Sequence, residues 1–268
     1  MFENFFANIG TENLTLIQQL LIVCPLIFLA GFIDSIAGGG GLISLPAYYM
    51  AGLPPHYALG SNKMSSSVGI VFSTSMYVRG DHVYKKIILV SVVGALFGSW
   101  IGARCALMLD EEVLLWIMVI LVPIITLFIV LKRDLFTAKE RNIPVIKEQI
   151  IVAAISLIIG WYDGFFGPGA GMFLVFSFIG FLHLNPVTAN GNAKIVNLCS
   201  NVAALVTFAT GGKVLFALAL PCAVFSIAGN MLGARLAIKK GAKIIKPIML
   251  VVILLLLLTI VRNLVGDI

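Results

Sequence analysis

Apolar runs, most of them long enough to cross a lipid bilayer, fill most of this 268-residue chain. A membrane-spanning helix needs about 20 largely apolar residues. Ten apolar segments lie near 14–37, 42–53, 60–79, 84–108, 113–131, 149–166, 169–182, 190–210, 214–237 and 247–264. The chain is 60% hydrophobic and 11% charged, whereas soluble domains are about 45–50% apolar and about 25% charged. The sequence therefore predicts an all-α polytopic membrane protein.

This composition excludes several classes of function. The 18 basic and 12 acidic residues would suggest nucleic acid as a partner of a soluble protein, but basic loops of a membrane protein report its orientation. No nucleic acid, metal or cofactor is expected, and no residue constellation favours an enzyme. Cys24, Cys105, Cys199 and Cys222 have no metal-binding spacing and are interpreted as small core residues. The N-terminus has no basic residue before the first apolar segment, so no cleaved signal peptide is expected.

The chain contains an internal duplication. At an offset of 131 residues the pattern P-x-x-A-x-G-x-x-K occurs at 55–63 and 186–194, and G-x-x-x-G-A-R occurs at 98–104 and 229–235. At an offset of 129, Gly31, Asp34 and Gly38 match Gly160, Asp163 and Gly167. The predicted organisation is a tail at 1–13, a first transmembrane repeat at 14–131, a cytoplasmic linker at 132–148 and a second repeat at 149–268.

The basic loops indicate how the two repeats are oriented. If all ten segments span, the loops at 79–86, 132–148 and 235–246 share one side with 13 basic residues, and three lie opposite. If the second segment of each half is re-entrant, the split is 10 to 6. The positive-inside rule favours the first model, with inverted repeats and both termini outside. Segments 42–53 and 169–182 are short for full spans, which leaves half-helices as the alternative.

Each half carries one acidic residue at membrane depth, followed by a glycine cluster. Asp34 precedes Gly38–Gly41, and Asp163 precedes the run G-P-G-A-G at 167–171. A charged side chain in a membrane helix is costly, so each Asp is kept for function or a charge pair, or it caps a helix near the interface. Glycine and proline are poor helix formers, so both helices are predicted to break at these clusters. Tight helix crossing at small residues is the alternative.

A polar cluster with a lysine follows in each half, at 60–67 and 190–197. Lys63 and Lys194 could each bind an anion, neutralise an Asp or extend along their own stems to the interface. The G-x-x-x-G-A-R motifs are interpreted as close-packing helix faces. His56, His82 and His183 lie at segment ends or in loops without ligand spacing and are interpreted as ordinary interface residues.

The motifs G-F-I-D-S-I-A-G-G-G-G-L at 31–42 and A-L-G-S-N-K at 58–63, with their partners in the second half, resemble the TauE/SafE family of membrane transporters. The resemblance covers nearly the whole chain. It implies a multi-pass permease of the bacterial inner membrane that moves small anions, often sulfur oxyanions or organosulfonates. The family commonly has about eight predicted spans, and the two short segments account for the difference from ten.

The residues and the resemblance together predict a secondary transporter that moves a small anion by alternating access between its halves. A passive channel or a non-transporting membrane anchor is the alternative, and a homo-oligomer is left open. Candidate substrate-binding residues are Lys63, Lys194, Asn62, Ser61, Ser65, Asn190, Asn192, Asn197, Gly39, Gly40 and Gly169. Asp34 and Asp163 are expected to balance charge or to carry a coupling proton.

Overall fold

A computed structural model describes residues 14–114, 116–117, 144–241, 243–245 and 247–248. No strand occurs among these residues. The helices are α1 (Leu16–Ala37), α2 (Gly41–Met50), α3 (Pro55–Arg79), α4 (Ile88–Met108), α5 (Val145–Phe165), α6 (Ala170–Leu182), α7 (Pro186–Thr210) and α8 (Phe216–Lys240). The tail at 1–13 and nearly all of the predicted segments 113–131 and 247–264 lie outside the described residues.

Local sequence signals set where the helices begin. Thr15 and Gln18 form a capping box at the start of α1. Helices α3 and α7 begin at Pro55 and Pro186, several residues before the apolar runs predicted at 60 and 190. Proline is favoured at the first helical position because it has no N–H group to leave unpaired there. Helix α5 begins at Val145, within the stretch predicted as linker.

The described helices include five that are long and apolar enough to cross a membrane, namely α1, α4 with its preceding turn, α5, α7 and α8. Helix α3 has 25 residues, as many as α7. Its polar residues lower its hydropathy, but most of them are buried inside the protein. The chain is therefore a multi-pass α-helical membrane protein, as predicted.

The two short helices are too short to cross a bilayer alone. At about 1.5 Å per residue, the 10 residues of α2 and the 13 residues of α6 extend about 15 and 20 Å. A typical hydrocarbon core is about 30 Å thick. Helices α1 and α5 end where the glycine clusters begin, so the predicted breaks are confirmed. Segments 42–53 and 169–182 are thus half-length helices that continue from a break.

Helix α4 packs along α5, and helix α8 packs along α1, so each of these pairs joins the two halves. The contacts advance in the same direction along both helices of each pair, so α4 is parallel to α5 and α8 is parallel to α1. These contacts are Gly98 with Leu157, Gly102 with Trp161, Gly229 with Phe28 and Gly233 with Phe32. The glycines allow the backbones to touch, which confirms the close-packing interpretation of G-x-x-x-G-A-R. The two halves are therefore interlocked.

The long polar helices α3 and α7 run antiparallel. Gly191, near the start of α7, packs against the carbonyl of His82, just after the end of α3. Gly60, near the start of α3, packs against the carbonyl of Lys213, just after the end of α7. Equivalent helices that run in opposite directions are what an inverted duplication requires. The duplication itself stays a prediction.

The basic loop after α3 and the basic end of α8 lie at the same end of the bundle. The loop at 80–87 contacts the start of α7 through His82, and Gly241 lies beside Val187 in the first turn of α7. The charge count predicts this common placement, and it also predicts that this end faces the cytoplasm.

That orientation can be tested by cysteine labelling in intact cells. In a background without the four native cysteines, Lys240→Cys should resist a membrane-impermeant maleimide, and Lys213→Cys should react with it. The expected difference follows from the excess of basic residues at the end that carries Lys240. Labelling of Lys240→Cys from outside, with Lys213→Cys protected, would reverse the assigned orientation.

Candidate functional site

The two glycine breaks meet in the middle of the protein. Gly38 packs directly against the backbone of Gly171, and Gly41 packs against Pro168. Gly38 has φ 79°, a left-handed conformation that a side chain would strain. The breaks therefore bring the N-terminal ends of α2 and α6 close together. Because a helix N-terminus carries partial positive charge and free N–H groups, this junction favours an anion.

A cavity of about 40 Å³ lies against this junction. Its wall contains residues of α1, α2, α3, α5, α6, α7 and α8, so both halves contribute to it. The polar residues that line it are Asp34, Ser44, Asn62, Lys63, Ser66, Asp163, Asn197, Asn201, Ser226 and Asn230. Polar groups that converge on one cavity from both halves are typical of a small-molecule site.

Two buried ion pairs cross between the halves. The Nζ of Lys63 lies 2.9 Å from Oδ1 of Asp163, and the Nζ of Lys194 lies 2.6 Å from Oδ2 of Asp34. Each lysine therefore neutralises the acid of the other repeat, one of the roles that the sequence left open. Breaking a buried pair by removing one partner costs about 3–5 kcal/mol. The pairs thus hold the halves together and cancel the formal charge of the site.

The carboxylate of Asp163 has further donors. The hydroxyl of Ser200 donates to its Oδ2, and the Nδ2 of Asn201 donates to the same oxygen over 3.4 Å. The carboxylate of Asp34 instead accepts from the backbone N–H of Gly40 over 3.3 Å. The two acids therefore occupy different surroundings despite their matching positions in the repeat.

Six of the predicted site residues line the cavity: Asp34, Gly40, Asn62, Lys63, Asp163 and Asn197. The others lie outside its wall: Gly39, Ser61, Ser65, Gly169, Asn190, Asn192 and Lys194. Gly169 is the N-cap of α6 and adopts a left-handed conformation. The structure thus separates a polar surface that a solute can touch from a set of polar residues behind it.

The side chains behind the wall bond to the protein itself. Ser61 accepts from the backbone N–H of Leu215, and Ser65 accepts from the hydroxyl of Tyr48. Asn192 donates to a carbonyl in its own helix. Asn190 donates to the hydroxyl of Tyr77 and to carbonyls at the end of α1. These contacts fix the helices around the cavity.

Sequence analysis missed several cavity residues, namely Ser44, Ser66, Asn201, Ser226 and Asn230. Ser66 matches Asn197 at the offset of 131, so a closer comparison of the repeats could have found it. Asn230 follows Gly229 in the close-packing motif, and that interpretation hid it. Ser226 lies one helical turn before Asn230 and therefore on the same face of α8.

Two polar atoms of the cavity residues have no partner in the described part of the protein. They are Oγ of Ser44 and Oδ1 of Asn197, and both residues are at least 96% buried. Buried polar atoms in native proteins nearly always have a hydrogen-bond partner. The two atoms are therefore available to hydrogen-bond a polar solute or water. Among the described residues, there is no group of three or more His, Cys, Asp or Glu residues that could hold a metal ion.

The family model described as sulfite exporter TauE/SafE matches residues 23–260. The chain belongs to this family. The probable membrane transporter protein ORF9 of Sinorhizobium sp is 36% identical over 84% of this chain and 85% of its own length. The probable membrane transporter protein YfcA of Escherichia coli strain K12 is 35% identical over 88% and 90%. No solved structure matches. This TauE/SafE protein is therefore a membrane transporter.

The contact between the breaks can be tested by adding one methyl group. Gly38→Ala places a Cβ onto the backbone of Gly171, while Gly212→Ala meets no atom within 4 Å. Both glycines have positive φ, so both variants carry backbone strain. We expect a loss of about 2–5 kcal/mol for Gly38→Ala but only about 1–2 kcal/mol for Gly212→Ala.

Melting temperatures of the two purified variants in detergent measure this difference. Equal melting temperatures would contradict direct contact between the two breaks, because backbone strain alone is common to both substitutions.

Proposed function

We propose that this membrane transporter moves a small anion across the bacterial inner membrane by alternating access between its two halves. The anion is a sulfur oxyanion, an organosulfonate or a small organic acid. The observation that carries the proposal is the convergence of the N-termini of α2 and α6 and the ammonium of Lys63 on one cavity. The description of the matching family as sulfite exporters supports a sulfur oxyanion as the substrate. The bacterial relatives support a bacterial membrane as the location.

The charges of the site favour selection by geometry. Two lysines and two aspartates cancel, so the anion is attracted by local potential and by hydrogen-bond donors. Helix N-termini, amide groups and hydroxyl groups suit a solute with several acceptor oxygens. A bulky apolar solute would find few partners on this wall.

Alternating access is supported by the way the halves are joined. The equivalent helices α3 and α7 run in opposite directions and both reach the cavity, so a rocking motion could expose it to either side in turn. The two ion pairs cross the same boundary between the halves. A proton that binds Asp34 or Asp163 as the anion binds would reduce the transported charge and couple transport to a pH gradient.

Thermal stabilisation of the purified protein tests the ligand class. Sulfate, sulfite, methanesulfonate and acetate at millimolar concentration form the panel, with chloride and a neutral amine as controls. A ligand that binds only the folded state, at about 100 times its Kd, adds about 2.7 kcal/mol. We expect at least one oxyanion to raise the melting temperature, by roughly 5–10 °C at that saturation. Stabilisation by the amine alone would contradict an anion site.

Flux in proteoliposomes tests the mechanism. The stabilising anion should accumulate against its own gradient when a pH gradient is imposed, and the flux should saturate with concentration. Flux that only equilibrates the anion and ignores the pH gradient would indicate a passive channel. An absence of flux from a protein that binds the anion would indicate a non-transporting role.

A further inference from the structure

The two lysines of the site occupy the same position in the repeat, but their surroundings differ. Lys63 matches Lys194 at the offset of 131 residues. Both side chains are at least 98% buried, and each contacts the acid of the other half. Only Lys63 belongs to the wall of the cavity. This difference indicates that the two lysines have different roles.

Lys194 is bound to the end of α1. Its Nζ donates to both the carboxylate and the backbone carbonyl of Asp34. That carbonyl lies in the last turn of α1 and already accepts from the backbone N–H of Gly38, so Lys194 is a second donor to it. A cation at a helix C-terminus also interacts favourably with the helix dipole. Lys194 is therefore placed as a cap of the broken helix.

Two further side chains complete this cap, and the other half has no counterpart to them. Asn190 and the hydroxyl of Tyr77 both donate to the carbonyl of Ser35. At the offset of 131, Asn190 matches Leu59 and Tyr77 matches Phe208. Neither Leu nor Phe can donate a hydrogen bond from its side chain. Within the part of the chain that the structure describes, the capping arrangement therefore exists only around Lys194.

Lys63 is bound more loosely. Among the described residues, its Nζ has Oδ1 of Asp163 as its hydrogen-bond acceptor. An ammonium carries three donors, so two have no acceptor among the described residues, and Lys63 lines the cavity. Gly167, in the break before α6, also packs against this Nζ. Lys63 thus lies beside the junction that favours an anion.

If its lysine moves to a ligand, each acid keeps a different set of hydrogen-bond donors. Asp163 keeps the donors Ser200 and Asn201. Asp34 keeps the backbone N–H of Gly40, which is 3.3 Å away. Because a buried carboxylate without donors is costly, Lys63 can leave its acid at a lower cost than Lys194 can.

We infer that Lys63 is the ammonium that binds the transported anion, while Lys194 is a positioning residue that caps α1 and holds Asp34. The inference rests on the proposed function, because it assigns the anion of that site to one of two matched lysines. It predicts that the same substitution lowers affinity more at position 63 and lowers stability more at position 194.

The experiment compares Lys63→Gln with Lys194→Gln, using the melting temperature without ligand and the anion concentration needed for stabilisation. The probes are sulfate, sulfite, methanesulfonate and acetate. Loss of a charge-assisted hydrogen bond in Lys63→Gln should weaken the affinity about 10- to 100-fold, and its melting temperature should fall less than that of Lys194→Gln because Asp163 keeps other donors. Lys194→Gln should melt roughly 10 °C lower and should lose less affinity than Lys63→Gln, because it unpairs Asp34 at the cavity wall but removes no donor to the anion.

Tyr77→Phe provides a milder test of the same cap. It removes one donor to Ser35 and should lower the melting temperature by about 2–4 °C without a change in affinity. If Lys194→Gln does not accumulate as folded protein while Lys63→Gln does, the capping role is supported, and Tyr77→Phe then decides whether affinity is independent of the cap. Lys63→Arg, which keeps the charge, should recover part of the affinity.

The outcomes separate the inference from the proposed function. If the wild-type protein binds none of the four anions, the proposed function fails and the inference fails with it. If the wild type binds an anion and Lys63→Gln keeps the affinity, the inference alone is overturned. It is also overturned if Lys63→Gln does not fold, if folded Lys194→Gln loses at least as much affinity as Lys63→Gln, or if Tyr77→Phe loses the affinity.

Discussion

A helix that stops inside a membrane leaves backbone groups that water cannot reach, and this constraint organises the protein. Unwound backbone at that depth is tolerated only where it is buried in protein or lines a cavity. Here each break packs against the other, through Gly38 and Gly171. The carbonyls at the end of α1 are met by side chains of α3 and α7. These two glycine breaks are surrounded by the cavity, the crossed ion pairs and the polar faces of the long helices.

The helical class and the breaks were predictable because they depend on local chemistry. Apolar length sets the long helices, and a run of four glycines cannot continue a helix cheaply. The matching lysines were also visible, because the repeat places them at a constant offset. A sequence pattern in one half does not predict which residue of the other half each lysine contacts. That Lys63 meets Asp163 rather than Asp34 follows from the packing of α3 and α5 against α7.

The prediction of site residues was limited for a related reason. Asn190 and Asn197 lie on the same helix and have the same chemistry, yet Asn190 caps α1 and Asn197 lines the cavity. Their difference depends on which neighbour each helix face meets. Asn230 was hidden in a motif that correctly indicated close packing, because one turn of α8 serves both packing and the cavity. Sequence identifies polar residues at membrane depth, and packing divides them between support and site.

The crossed ion pairs also bear on how the chain is made. Lys194, the ion-pair partner of Asp34, follows it by 160 residues in the sequence. Helix α8, which packs along α1, comes later still. At about 5–20 residues per second, a ribosome needs roughly 8–32 s to synthesise that interval. The first half therefore enters the bilayer with Asp34 lacking its lysine and with only part of the cap at the end of α1, the part that Tyr77 supplies. Biogenesis of this transporter thus depends on holding an incomplete half until the second half arrives.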